Sequence, residues 1–424
     1  MPPSRPTDDP VAGRRRDVRV LLVGSGRHGR PYLAAVRARG GRIALLDNRV
    51  TLGSARTRRL LTEGDRTYPV DAEDVTAAWL SAAYRALDDG PVDGVVAFSE
   101  GHVLPAALIA DELGLRGPGL RAAIVSRDKS LQRTVFAHHG IAQPDALHTG
   151  DADDAVAWAA GRYPVVVKPT DGSGSSGVRR IDDEPQLRTW AAAPGRPARF
   201  LVERCLEGPE LSLETVVQDG AVVLCEPTRK VTGAAPFFVE VGHHVPAGVD
   251  PTTRTSLSAV AASVAAALGV RDGLMHLEVR LEPAGPHVIE VAVRTPGDHI
   301  LELHALAQGV DVFDAVVACA LGEPVTGGAR SERAAATWFA TPGPGRVLAV
   351  DGEDDARGLP GVVDLRVDVA PGDTVAALRS SEDRTASAVL VADDLVSLDD
   401  LGRRVAGALT IRTVPLHSPT GGTS

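Results

Sequence analysis

The stretch Val165-Val166-Val167-Lys168-Pro169-Thr170-Asp171-Gly172-Ser173-Gly174-Ser175-Ser176-Gly177-Val178 decides how this chain is read. The valine run predicts a short strand that delivers Lys168, and the glycines and serines behind it make a loop of small residues. Such a loop folds over phosphates and donates several backbone N–H groups, while the lysine ammonium neutralises charge. The order of residues does not follow GxxxxGK[ST], so this is no Walker loop. Taken alone, the segment also fits a flexible hairpin with a surface lysine, and its neighbours have to decide.

Downstream, Leu201-Val202-Glu203-Arg204-Cys205-Leu206-Glu207-Gly208-Pro209-Glu210 reads as a strand ending at Glu203, then a turn and a second carboxylate. That arrangement lines an adenine and ribose pocket with backbone groups and one acidic hydroxyl acceptor. Its plain reading is a strand-turn-strand with solvated charges. Further on, strands expected at 274–281 and 287–293 carry His276-Leu277-Glu278 and Ile289-Glu290-Val291-Ala292-Val293-Arg294. If they pair, alternation puts Glu278 and Glu290 on one face, with Ala292 and Arg294 on the side of Glu290. Two carboxylates on one face repel unless a cation lies between them. Mg²⁺ bridging nucleotide phosphates suits that sparse supply, and Arg294 can hold phosphate oxygens bidentately. The competing reading is a half-exposed hairpin with solvated charges.

Upstream, VRVLLVGSG at 18–26, a helical stretch at 27–39, a strand at 43–47, a helical stretch at 72–88 and a strand at 93–98 alternate as a parallel α/β unit does. Gly24-Ser25-Gly26-Arg27-His28-Gly29, with Asp47 ending the next strand, matches a dinucleotide fingerprint, but the glycines serve equally well for a tight strand-to-helix turn. Leu104–Leu113 reads as a helix. A new unit opens near Ser126, and an Ala-rich helix is expected over 252–268. Asp219-Gly220 marks a hairpin. The region after Gly328 shows short strands and Gly/Pro turns and no evident chemistry.

A chain of 424 residues exceeds one ordinary core and can enclose a cleft between domains. The 55 acidic against 45 basic residues leave no basic footprint, so nucleic acid is not an expected partner. Three scattered cysteines, Cys205, Cys225 and Cys319, form neither a disulfide framework nor a CxxC pair and fit a reducing cytoplasm. The first 17 residues lack an apolar core and read as a disordered tail. The apolar run Ala259–Val270 falls short of a bilayer span, so no membrane association is expected.

In order, Ser126-Arg127-Asp128-Lys129 with Gly140-Ile141-Ala142-Gln143-Pro144, the Lys168 strand and its loop, the Glu203–Glu210 segment, and the Glu278, Glu290 and Arg294 strands resemble the ATP-grasp superfamily. The resemblance spans roughly residues 18–330. It implies an α/β fold, α+β in part, divided as a tail (1–17), an N-terminal domain (18–125), an ATP-grasp domain (126–330), a C-terminal α+β subdomain (331–416) and a second tail (417–424). By the same resemblance, Lys129 and Lys168 contact ATP, and Gly172, Ser173, Gly174, Ser175, Ser176 and Gly177 form the mobile loop over the phosphates. Glu203 and Leu206 meet adenine, Glu210 meets the ribose, and Glu278 and Glu290 hold Mg²⁺. Arg294 and Lys168 act on the transferring phosphate, and the GxGxxG is then no NAD site. One position departs from the pattern: Ala292 stands where asparagine commonly supplies a third metal ligand.

Glu240-Val241-Gly242-His243-His244-Val245-Pro246-Ala247 together with Glu290–Asp298 is similar to L-amino-acid ligases and related amide-forming enzymes of peptide natural-product pathways. In that branch a Glu-x-x-His pair lies beside the substrate, and Glu240 and His243 match it; read plainly, they sit in a polar loop. The implied activity is ADP-forming joining of a small carboxylate and an amine. A homodimer is compatible with it. The rivals are a carboxylase or purine-pathway ligase on the same scaffold, and an ATP-binding protein without turnover, which Ala292 motivates.

Overall fold

The computed structural model describes residues 18–25, 30–326 and 331–416. Both expected tails, the Gly26-Arg27-His28-Gly29 half of the glycine motif and Gly328 lie outside the described residues.

Strands β1 (Arg19–Val23), β2 (Arg42–Asn48), β3 (Arg66–Val70) and β4 (Gly94–Ala97) form a parallel sheet in the order β3-β2-β1-β4. The sequence reading missed β3, whose RTYPV is polar and holds a proline, and an edge position tolerates both. At the end of β1, a Cβ on Gly24 would sit 2.0 Å from the His102 ring, at a φ of +75°. Ser25 gives its N–H and hydroxyl to Asp47, so the acidic residue of the apparent dinucleotide fingerprint closes the turn itself.

Strands β5 (Ala146–Thr149), β6 (Val165–Pro169), β7 (Arg179–Ile181) and β8 (Phe200–Arg204) make a small antiparallel sheet in the order β5-β8-β6-β7. The large sheet begins with β9 (Glu210–Gln218) and β10 (Ala221–Thr232), joined through Asp219-Gly220, both at positive φ as a two-residue hairpin requires. It continues with β11 (Glu240–Val245), β12 (Gly273–Glu282) and β13 (Gly285–Ala292), and takes in β14 (Ala334–Ala340). Next along the chain come β15 (Gly345–Asp351), β16 (Val362–Val367), β17 (Thr374–Val375), β18 (Ala386–Ala392) and β19 (Thr410–Val414). The sheet order is β13-β12-β9-β10-β11-β14-β18-β16, while β17-β15-β19 stands apart. One sheet therefore runs from the Glu278 hairpin into the C-terminal region through the β11–β14 pairing.

The helix Pro251–Leu268 starts where Asp250 accepts from the N–H groups of Thr252 and Thr253, with proline at its first position, and stops at left-handed Gly269. Its Leu257, Ala261 and Val264 pack with Leu211, Leu213 and Leu277 beneath the large sheet. A second core joins Val20, Leu22 and Tyr32 of the N-terminal unit to Val312 and Val316. This packing holds the first sheet against the large one and brings the segment after β4 to the mouth of the cleft. No single described helix is long and apolar enough to cross a membrane.

Candidate active site

A cleft opens between the small and large sheets. It is lined by Lys129, Lys168, Gly172, Ser173, Gly174, Ser175, Ser176, Glu203, Leu206, Glu210, Glu240, Glu278, Glu290, Ala292 and Arg294. Of the site residues that the resemblance implies, Gly177 and His243 stand outside that lining, and a Cβ on Gly177 would come within 3.2 Å of the Pro169 ring.

On the small-sheet side, Lys168 and Glu203 lie on adjacent strands, and their side chains meet at 2.7 Å, both nearly inaccessible to solvent. Arg133, which the sequence reading did not single out, reaches the same carboxylate at 2.7 Å and the Ile289 carbonyl at 2.6 Å. Burial would push the Glu203 carboxyl up, but Arg133 and Lys168 outweigh it and hold it ionised below its usual range. Burial pulls the Lys168 ammonium down, Arg133 adds to that, and Glu203 only partly compensates. Lys129 sits at the first position of a helix capped by Asp128; its ammonium lies 2.9 Å from Glu290 and donates to the Gly172 carbonyl at 2.9 Å. Burial lowers its affinity for the proton, and Glu290, helped by Glu278 and Glu100, reverses the sign.

On the large-sheet side, β12 and β13 pair with Glu278 directly opposite Glu290 and His276 opposite Ala292. The expected shared face is therefore present. Glu278 is engaged by Lys230 at 3.0 Å and His276 at 3.4 Å, and His276 also touches Glu214 at 3.0 Å. Burial would neutralise this imidazole, yet Glu214 and Glu278 push it up to about 9. Lys230, near the end of β10, also meets Glu210 at 2.7 Å and Glu240 at 3.1 Å. Burial alone would discharge its ammonium, but the three carboxylates hold it well above its ordinary value. The sequence reading missed Lys230; its one signal is the alternation Thr228, Lys230, Thr232, which aims it at the face of β10 that Glu240 faces across the β10–β11 pairing.

Glu240 and His243 lie in β11 rather than in the polar loop of the plain reading. In a regular strand residues three apart point to opposite faces. A bulge intervenes: Glu240 pairs with Thr232 but Gly242 with Val231, leaving Val241 as the extra residue. Glu240 and His243 thus share the face of Lys230. The His243 Nε2 lies 2.9 Å from Asp298, whose carboxylate also takes both Arg384 Nη atoms at 2.8 and 2.7 Å. Arg294 pairs with Glu100 of the N-terminal unit and donates to the Thr295 carbonyl at 2.9 Å. Ser381 donates its hydroxyl to Glu240 at 3.0 Å, so the C-terminal region, expected to carry no chemistry, reaches the cleft. Glu100, Asp298, Ser381 and Arg384 carry no local signal, because each acts through a partner distant in sequence.

Glu278 and Glu290 suit a hard cation that retains waters and binds phosphate. They are in register, carboxylate, and in the lining of the cleft. Ala292 offers no ligand, and among the described residues no group of three or more His, Cys, Asp or Glu forms a metal cage.

Residues 161–302 match the ATP-grasp domain family, and residues 337–414 match L-amino acid ligase C-terminal domain 2. The chain therefore carries an ATP-grasp domain over residues 161–302. Its C-terminal region is similar to a domain found in L-amino acid ligases. An uncharacterized protein, y4rH, of Sinorhizobium fredii is 27% identical over 94% of this chain and 83% of its own length. Carnosine synthase 1 of Homo sapiens is 29% identical over 54% of this chain, and the match spans 31% of that enzyme. The crystal structure of an L-amino acid ligase from Bacillus licheniformis superposes with a TM-score of 0.78 over 94% of this chain and 99% of that one, at 21% identity.

Proposed function

We propose that this protein is an ATP-dependent carboxylate–amine ligase that activates an amino-acid carboxylate as an acyl phosphate, passes it to an amine, and releases ADP and phosphate. The observation that carries this reading is the gathering, in one cleft, of groups suited to phosphate and groups suited to its counter-cation. Lys129, Lys168, Arg294 and a glycine-rich loop line it with cations and N–H donors of the kind phosphates require, and Glu278 and Glu290 line it with oxygen ligands of the kind a counter-cation requires. The likeness to carnosine synthase 1 and to the L-amino acid ligase C-terminal domain points the same way.

In this reading Leu206 and the backbone near Glu203 cover adenine, the Glu203 carboxylate being committed to Lys168 and Arg133, and Glu210 lies on the ribose side. Glu278 and Glu290 would hold Mg²⁺, which when bound supplies charge compensation to the phosphates. The substrate carboxylate attacks the γ-phosphorus, and the bond to the ADP oxygen breaks. Lys168 and the N–H groups of residues 172–177 stabilise the charge on the transferring group, and Arg294, steadied by Glu100, faces the acyl phosphate. Closure of the loop keeps water from the intermediate. Glu240 attracts the substrate ammonium, and His243 shapes the space beside it.

The test is a matrix of amino acids and small carboxylates with ATP and Mg²⁺, read by phosphate release and mass spectrometry. ADP, phosphate and an amide in equal amounts are expected. AMP and pyrophosphate as the stoichiometric products would overturn the acyl-phosphate route.

A further inference from the structure

The loop Gly172–Gly177 is contacted from outside the ATP-grasp domain. The C-terminal region contributes a short turn, Ser380–Arg384, whose Ser381 N–H donates to the Gly174 carbonyl at 3.0 Å and whose Ser381 hydroxyl donates to Glu240 at 3.0 Å. From the other side, the Ser175 hydroxyl lies 3.2 Å from the Phe238 carbonyl and 3.4 Å from the second oxygen of Glu240. Gly174 and Ser175 both hold positive φ, +65° and +58°, a conformation that costs a serine energy and persists only where surrounding contacts fix it.

The turn is itself braced. The Ser380 hydroxyl and the Asp383 carboxylate form a reciprocal cap. Arg384 donates to the Ser381 carbonyl at 2.8 Å, lays its guanidinium 3.7 Å from the Phe339 ring centre, and grips Asp298, which in turn meets His243 of β11. Both ends of the Glu240–His243 pair are therefore tied to this one turn, Glu240 through Ser381 and His243 through Asp298 and Arg384.

We propose that Ser381 is a positioning residue: it sets the phosphate loop in its closed register against Glu240, so that the loop shuts over the nucleotide only where the amino-acid subsite is correctly formed. The consequence, which rests on the ligase reading above, is protection of the activated intermediate from water. Without the Ser381 contacts the loop opens more often, and the acyl phosphate is hydrolysed instead of being passed to the amine.

Ser381→Pro tests this with little disturbance to the turn itself. The position directly follows the cap residue, where proline's fixed φ is accommodated, and Ser380 is extended at φ −148° and ψ 166°, as a residue before proline prefers. Ser381→Pro removes both the N–H and the hydroxyl and sets a ring carbon where the N–H met the Gly174 carbonyl, so it also forces that contact apart; Ser381→Ala removes the hydroxyl alone, and Ser381→Thr keeps both donors. The ratio of ADP released to amide formed is expected to rise roughly fivefold to tenfold in Ser381→Pro, less in Ser381→Ala, and to return to the wild-type value in Ser381→Thr. Hydrogen exchange of residues 172–177 is expected to accelerate in the same order. A Ser381→Pro protein with wild-type ratio and wild-type loop exchange would overturn the proposal, as would a drop in melting temperature with no change in either. Wild-type release of AMP and pyrophosphate would remove the acyl-phosphate reading alone, because loop exchange judges the contact independently.

Discussion

Two clusters of buried charge face each other across the cleft, and they are built differently. On the small sheet, two cations, Lys168 and Arg133, share one carboxylate, Glu203. On the large sheet, Lys230, Arg280 and a protonated His276 answer four carboxylates, Glu210, Glu214, Glu240 and Glu278. One wall keeps an excess positive charge and the other an excess negative one. Buried charge is costly unless paired, so an imbalance of opposite sign on two walls is stable only where something of matching polarity completes it. A nucleotide triphosphate with its divalent cation has that polarity: phosphates for one wall, metal for the other.

The sharpest way to break this comparison is to remove the central lysine of each wall. Lys168→Met leaves Glu203 still held by Arg133, so the fold should survive while the rate falls by about 10²-fold, the usual loss for one strong contact to a transferring phosphate. Lys230→Met leaves Glu240 and Glu278 short of a cation in a buried setting, which should cost about 3–5 kcal/mol of stability. Added Mg²⁺ should recover part of that loss in Lys230→Met and none in Lys168→Met. Chemical denaturation with and without Mg²⁺ measures both, and equal instability of the two variants would mean that the walls do not differ as described.

A weaker effect is expected where the C-terminal region grips the acidic wall. Burial would raise the Asp298 carboxyl, but His243 and Arg384 drive it far below the ordinary carboxylate value. A depressed acid contributes stability that is fully present above its unfolded value, about 3.9, and is lost as pH falls below it. Asp298→Asn should therefore be less stable than wild type at neutral pH by a margin that stays constant down to about pH 4 and closes only in stronger acid. A margin that instead grows as pH falls from about 7 to about 5 would assign the effect to an imidazole taking up its proton.

Much of this site was legible in the sequence because it is local. A valine run that presents Lys168, a loop of glycine and serine, and a hairpin whose period of two aligns Glu278 with Glu290 each fit within a few residues. Three physical features were not legible. The bulge at Val241 reverses the side on which His243 emerges, and nothing in the string Glu-Val-Gly-His-His announces an extra residue. Lys230 gains meaning only when β10 lies between the strands that carry its partners. Ser381 and Glu100 act over separations of 141 and 194 residues, as partners of Glu240 and Arg294. Such pairs arise from the stacking of the units, which hydrophobic patterning predicts only in outline.

The smallest effect concerns Ala292, where the negative wall lacks the oxygen ligand that the superfamily pattern supplies. Ala292 lies across from His276 and beside Glu290 on the cleft face, nearly buried, and carries no donor atom. Mg²⁺ tolerates water in its shell, so under the proposed function the two glutamates and the phosphates would suffice to hold it, at some cost in affinity. An asparagine at 292 would point its amide oxygen toward the same space as Glu278 and Glu290. Ala292→Asn is therefore expected to keep the maximal rate and lower the Mg²⁺ concentration for half-maximal activity by a few-fold, since one added neutral ligand exchanges only for a bound water. The check is a Mg²⁺ titration at saturating ATP. An unchanged midpoint would place residue 292 outside the coordination sphere and leave the polarity of the wall to Glu278 and Glu290 alone.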